Sequence, residues 1–99
     1  MLKKKPVKKS DKTSVVFEIG GLDDATNVAV VGEFNGWEPE RNPMKRRKDG
    51  AWSVTIRLPK NQRYEFRYVV DGDRWICDEE ADALVPNPFG GHNSVVELD

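Results

Sequence analysis

The sequence predicts an all-β sandwich. Three observations lead there: short runs in which apolar and polar side chains alternate with period two, turn dipeptides between those runs, and no segment with a sustained helical period. About seven such strands, with turn signals at intervals of roughly 8 to 12 residues, fit an immunoglobulin-like pair of antiparallel sheets, with a small barrel as the alternative closure. The Cys-Trp-Cys arrangement of antibody domains is absent, so the expected version has no intersheet disulfide.

Taken in order, residues 1–12 read as a disordered basic arm, because a Lys-rich run with Pro6 and almost no large apolar residue offers little to offset its ordering entropy. Its role is either a solvated tail or weak attraction to an anionic partner such as nucleic acid or a membrane surface. From Thr13 the pattern changes. Val15, Phe17 and Ile19 alternate with Val16 and Glu18 until Gly20-Gly21 breaks the strand. Asn27 to Phe34 is a second, more apolar strand, stopped by Asn35-Gly36. Pro39 and Pro43 bracket a loop, and Met44 to Lys48 fits a short edge strand whose charges discourage edge pairing.

Asp49-Gly50 turns the chain into Ala51–Leu58, where Trp52, Val54, Ile56 and Leu58 share one face, and Pro59 ends the run. Residues 62–71 carry the clearest strand signal. Tyr64, Phe66, Tyr68 and Val70 form the core-facing set, and Glu65, Arg67 and Val69 point the other way. Asp71-Gly72 supplies the next reversal, followed by a short strand near Arg74–Cys77 and an acidic segment, Asp78 to Asp82. Val85-Pro-Asn-Pro-Phe-Gly-Gly is a loop by composition, and Asn93–Leu98 closes the chain as a last strand.

Ninety-nine residues with 37% hydrophobic content make one domain over residues 13–99, beyond the arm. The net charge of -1 hides an asymmetry. Residues 1–12 hold six Lys against Asp11, leaving ten basic and sixteen acidic groups downstream. The expected folded part is thus net acidic without a recognisable basic groove, which disfavours nucleic-acid binding by it. No apolar run of signal-peptide or membrane-spanning length follows the start, and the single Cys77 suits a reducing compartment, so the expectation is cytoplasmic with no membrane partner. Cys77 and His92 alone make a structural metal site improbable, and no cofactor is expected.

Enzyme motifs are missing: there is no Gly-x-Ser-x-Gly, P-loop or His-Glu-x-x-His. The run Asp71, Asp73, Asp78, Glu79, Glu80, Asp82 lacks the register of an EF-hand loop and reads as solvated carboxylates rather than calcium or glycosidase ligands. The aromatics are more informative. Trp52 belongs to the core, whereas Trp37 and Trp75 each sit beside a Gly-containing turn. An exposed indole there presents a flat apolar face that matches the C–H face of a pyranose ring, with an N–H donor at its edge. The alternative is an indole folded back over the end of the sandwich.

Three blocks then resemble carbohydrate-binding module family 48: Phe34-Asn35-Gly36-Trp37; Tyr64-Glu65-Phe66-Arg67-Tyr68-Val69-Val70-Asp71-Gly72 with Trp75; and Phe89-Gly90-Gly91-His92-Asn93-Ser94-Val95-Val96. The family includes the early-set domains of isoamylases and glycogen branching enzymes and the glycogen-binding domain of the AMP-activated protein kinase beta subunit. The resemblance runs from about residue 13 to 98 and keeps the blocks in order. It implies an immunoglobulin-like early-set sandwich that binds α-1,4-linked glucan and is not itself an enzyme. By resemblance, the two sugar-cradling tryptophans fall on Trp37 and Trp75, a sugar-bonding lysine on Arg67, a leucine that enters the curve of the glucan on Phe89, and a sugar-contacting asparagine on Asn93. The stretch Asp-Gly-Asp-Arg-Trp is one residue longer before its Trp than in the kinase domain. The other expected role is a protein-interaction module that docks on a glycogen-metabolising enzyme.

Overall fold

The structure is a computed structural model and describes residues 1–98. Among the described residues, nine strands form two antiparallel sheets: β1 (Leu2–Pro6), β2 (Lys12–Ile19), β3 (Val28–Gly32), β4 (Lys45–Arg46), β5 (Trp52–Pro59), β6 (Gln62–Val70), β7 (Arg74–Ile76), β8 (Ala83–Pro86) and β9 (His92–Leu98). One sheet has the order β1-β2-β5-β4, the other β3-β6-β9-β8, with β7 pairing to β6. This is an immunoglobulin-like early-set sandwich.

The core is built from the alternation of these strands. Val15 and Phe17 of β2, Trp52 and Leu58 of β5, Val28 and Val30 of β3, Phe66, Tyr68 and Val70 of β6, and Val96 and Leu98 of β9 meet between the sheets. Phe66 packs edge-on to both Phe17 and Tyr68, with ring centroids 5.1 and 5.7 Å apart. Tyr64 is half-buried at the margin of this cluster, edge-on to Phe34. Burial and the adjacent Asp78 carboxylate hold the Tyr68 phenol far above its ordinary value; the phenol donates to Asp78 Oδ2 at 3.0 Å.

Two strands lie where the sequence suggested none. Residues 1–12 were expected to be a disordered arm, but Leu2–Pro6 runs antiparallel to β2 with Leu2 opposite Phe17 and Lys4 opposite Val15. Backbone pairing to an otherwise open sheet edge supplies order that the lysine side chains do not, and a Lys4–Asp82 ion pair ties β1 to the far sheet. The Val85-Pro86 stretch expected as loop is instead the end of β8, an edge strand whose Pro86 opposite His92 fits the usual place of proline in sheets. The remaining strands agree with the reading to within a residue or two, except the second, where Val28–Gly32 is shorter than the Asn27–Phe34 run, and β4, which keeps only Lys45–Arg46.

Three carboxylates of the acidic run, Asp71, Asp78 and Asp82, are employed in the fold. Asp71 Oδ1 accepts the backbone N–H groups of Thr26 and Asn27 at 2.7 and 2.8 Å, and these bonds hold its carboxyl below the ordinary carboxylate range. Asp78 is buried, receives Tyr68 and the Glu80 N–H, and donates its own N–H to Ser94 Oγ at 2.6 Å. Asp82 accepts the Glu97 N–H at 2.8 Å. Among the described residues, no group of three or more His, Cys, Asp or Glu is arranged to hold a metal ion.

Candidate functional site

The outer face of the five-stranded sheet departs from simple alternation. Ala29, Val31, Val69 and Val95 point away from the intersheet core, yet each is buried. Strand register puts larger side chains beside them: Arg67 opposite Val31, Trp75 opposite Val69 and Glu65 opposite Val95. This face is therefore a small second apolar layer under a cover of large side chains.

Trp37 reaches it from the turn after β3. The side chain of buried Asn35 organises that turn: Oδ1 accepts the N–H groups of Gly32 and Trp37 at 3.0 and 3.2 Å, and Nδ2 donates to Val30 O at 3.0 Å and Asn42 Oδ1 at 2.8 Å. Trp37 itself has φ 61°, a left-handed conformation that is uncommon for a bulky residue. Gly32 is the close-approach point. A Cβ there would lie 2.6 Å from the Glu65 carbonyl oxygen and 2.9 Å from Phe66 Cβ, so only glycine lets β3 lie this close to β6.

Trp75 lies on β7 with 38% of its surface exposed. The longer Asp71–Arg74 connection is taken up by positive φ at Asp71 and Gly72, and β7 returns to pair with β6. Arg67 supports the indole from the neighbouring strand. Its Nη2 donates to the Trp75 carbonyl at 3.0 Å, and its guanidinium carbon is 5.9 Å from the Trp75 ring centroid. Arg67 Nε is buried and has no partner. The cation expected to face solvent is half-buried and engaged with Trp75 as well as facing the groove.

Phe89 projects from the loop between β8 and β9 and is 94% exposed. Asn87 holds this loop: its Oδ1 accepts the N–H groups of Phe89 and Gly91 at 2.9 and 3.2 Å, and its backbone N–H reaches Gly91 O at 2.9 Å. Asn93, at the start of β9, donates through Nδ2 to Glu65 Oε1 at 3.0 Å.

The five residues singled out from the sequence, Trp37, Arg67, Trp75, Phe89 and Asn93, line one groove of about 550 Å³ together with Asn87 and Pro88. They come from the turn after β3, from β6, from β7, from the loop between β8 and β9, and from β9 itself. The sequence reading missed Asn87 and Pro88. The signal was there in part, since Asn-Pro before Phe-Gly-Gly marks a turn whose Asn side chain can cap its own backbone. A second groove of about 610 Å³, at the Gly20-Gly21 and Asp49-Gly50 turns, is lined by Glu18, Asp49, Asp78, Glu79 and Glu80 and has no aromatic lining. An aromatic wall suits the flat C–H faces of a sugar, and the 550 Å³ groove has one in Trp37, Trp75 and Phe89.

The model of carbohydrate-binding module 48, the isoamylase N-terminal domain, matches residues 7–87. The chain belongs to carbohydrate-binding module family 48. Relatives include the 1,4-alpha-glucan branching enzyme GlgB 2 of Xanthomonas campestris pv. campestris (strain 8004), 43% identical over 51 residues, which are 50% of this chain and 7% of that enzyme. GlgB 2 of Rhizobium johnstonii is 41% identical over 63 residues, covering 62% of this chain and 8% of the enzyme. GlgB of Pseudomonas aeruginosa is 38% identical over the same length, with the same shares. The matched stretch thus spans less than a tenth of these relatives. Membership in family 48 makes the chain a carbohydrate-binding module by kind.

Proposed function

We propose that this module binds α-1,4-linked glucan, as glycogen, starch or maltooligosaccharide, without catalysing a reaction. The observation that carries the reading is the convergence of Trp37, Trp75 and Phe89 on one groove that also contains Arg67 and Asn93. The indoles supply apolar faces for pyranose rings, and Phe89 offers a third aromatic surface at the rim. The unengaged N–H groups of Arg67 and the Asn93 amide supply directional bonds to hydroxyls. That the relatives are named as 1,4-alpha-glucan branching enzymes supports the choice of glucan.

Covering one indole face removes about 60 to 80 Å² of apolar surface, worth roughly 1.5 to 2 kcal/mol at ~25 cal/mol per Å². Two such faces and a few hydrogen bonds, less the cost of association, give a Kd of about 10 µM to 1 mM for an oligosaccharide. Strong retention on a polymer then comes from avidity. Titration with maltoheptaose, followed by tryptophan fluorescence and amide NMR shifts, tests the reading. Saturable changes at Trp37 and Trp75 are expected, and undisturbed signals at millimolar sugar would overturn it.

A second reading, docking on a glycogen-metabolising enzyme, is favoured by the outer face of the four-stranded sheet. There Lys3, Lys5, Lys12, Lys45 and Arg57 share the outward positions with Glu18, a mainly cationic surface for an acidic partner. Pull-down from lysate with Lys5→Glu/Arg57→Glu as the control tests it, and identical recovery by both proteins counts against it. We place either activity in the cytoplasm, in keeping with the unpaired Cys77.

A further inference from the structure

Two residues of the groove, Asn87 and Asn93, belong to a hydrogen-bonded relay that ends on Glu65 and whose polarity is set at both ends. At one end, Asn87 Oδ1 receives two backbone N–H groups, from Phe89 and Gly91, so the carbonyl end of that amide must face its own loop. Its NH₂ end therefore faces Asn93, whose Oδ1 accepts from Asn87 Nδ2 at 3.4 Å. At the other end, Asn93 Nδ2 donates at 3.0 Å to Glu65 Oε1, and an ionised carboxylate accepts only. Glu65 is itself held in place, because its backbone N–H donates to Glu33 Oε1 at 2.7 Å. Neither amide can turn over without setting acceptor against acceptor or donor against donor.

We propose that Glu65 is a positioning residue of this groove: its carboxylate fixes the orientation of the Asn93 amide and, through Asn87, steadies the loop that carries Phe89. After these contacts Asn93 retains one N–H donor and one acceptor lone pair. Vicinal hydroxyls of a pyranose, each both donor and acceptor, match such a pair, and the match is best when the amide cannot rotate. The loop gains from the same relay. Phe89 has almost no contact surface of its own, so its place at the groove rim depends on Asn87. The ligand assigned to this device is the glucan of the proposed function, and to that extent it rests on that reading; the relay itself is a property of the free protein.

The test uses the full chain. In Glu65→Ala, the side-chain amide resonances of both Asn93 and Asn87 are expected to shift and their exchange with water to quicken, without sugar present. Maltoheptaose binding should weaken by about 5- to 10-fold, the loss of one oriented polar contact. Glu65→Gln, whose Oε1 accepts the same bond, should stay within about threefold of the parent. In an Asn93→Ala background, Glu65→Ala should have no further effect on affinity, which separates positioning through Asn93 from a general structural role.

Asn87→Asp attacks the relay from the other side. It keeps an acceptor for the loop N–H groups but faces Asn93 with a second acceptor, so it should lower both affinity and melting temperature. Adding Glu65→Gln to Asn87→Asp should restore the melting temperature, because glutamine can donate to a reversed Asn93. Unchanged Asn93 and Asn87 amide resonances in Glu65→Ala, or additive effects of Glu65→Ala and Asn93→Ala, would overturn the proposal. Absence of sugar binding by the parent protein would instead sink the glucan reading, with the amide resonances and the Asn87→Asp rescue still deciding the relay.

Discussion

The two outer faces of the sandwich obey the same strand alternation and end up with opposite surfaces. On the four-stranded sheet the outward positions are Lys3 and Lys5 of β1, Ser14, Val16 and Glu18 of β2, and Ser53, Thr55 and Arg57 of β5. Apart from Glu18 they are short or cationic, and none carries an aromatic ring. Arg47 donates to Glu18 at 2.8 Å and, with help from Lys3, holds that carboxyl below its ordinary value. On the five-stranded sheet the outward positions begin with small and β-branched residues, Ala29, Val31, Val69 and Val95, all buried. Above this layer come Arg67 and Trp75, and the loops add Trp37 and Phe89.

The difference lies in what the loops bring. A sheet face becomes a platform when long side chains arrive from outside its own strands and have an apolar layer to rest on. The four-stranded sheet receives Arg47 but has no such apolar layer, and its charged face protects the β1 edge from further pairing instead.

The largest expected effect is at Asn35, which joins the platform to the sheet. Asn35→Ala leaves the buried Gly32 N–H and Val30 carbonyl without their side-chain partners and should cost about 3 kcal/mol in chemical denaturation, with loss of glycogen retention. A loss below about 1 kcal/mol would mean that the turn holds itself. Next come the indoles. Trp37→Ala and Trp75→Ala should each weaken maltoheptaose binding by about 10- to 30-fold in fluorescence or calorimetric titration, the equivalent of one indole face. The proteins should remain folded, since both side chains stand outside the core cluster.

Trp37→Gly separates the two roles of that position. Glycine relieves a φ of 61°, so binding should fall as far as in Trp37→Ala while the melting temperature stays higher than in the alanine variant. An equal melting temperature would show that no strain is held there. Acid should act on the five-stranded sheet through Asp71, in the turn between β6 and β7, whose carboxyl is depressed in the folded state by bonds to the Asn27 and Thr26 N–H groups. Its contribution to stability is present above the ordinary value of 3.8 and fades as pH falls through the lowered value. Asp71→Asn should accordingly be less stable than the parent at pH 7, with a smaller difference at pH 2; a constant difference would argue against this linkage. The smallest effects belong to the other face. Thr55→Ala and Arg57→Ala should change stability by less than about 0.5 kcal/mol and leave sugar affinity unaltered. A change in affinity there would break the division of labour between the sheets.

Much of this was legible in the residues themselves. The period of two in Tyr64–Val70 identified β6 and its core set, and Asn35-Gly36, Asp49-Gly50 and Asp71-Gly72 marked reversals whose glycines all take positive φ. The five groove residues were named from motif positions, and they share one groove. Less accessible were the strands without a pattern of their own. Leu2–Pro6 and Ala83–Pro86 have too few alternating apolar residues to announce a strand, and they become strands because β2 and β9 offer them an edge. The outward valines were invisible for a similar reason: alternation assigns Val69 to the solvent side, and it is buried by Ala29 and Trp75, its register partners on the two neighbouring strands.

By itself, then, the sequence determined the sandwich, its turns and its family, because alternation and turn chemistry act over a few residues and are written in the order of side chains. Tertiary structure alone decided that Arg67 supports Trp75, that Asn35 holds Trp37 in a left-handed backbone, and that Glu65, Asn93 and Asn87 share one chain of hydrogen bonds. The Arg67–Trp75 and Glu65–Asn93 contacts each join two strands at 3.0 Å, a meeting set by sheet register and loop path rather than by any local rule.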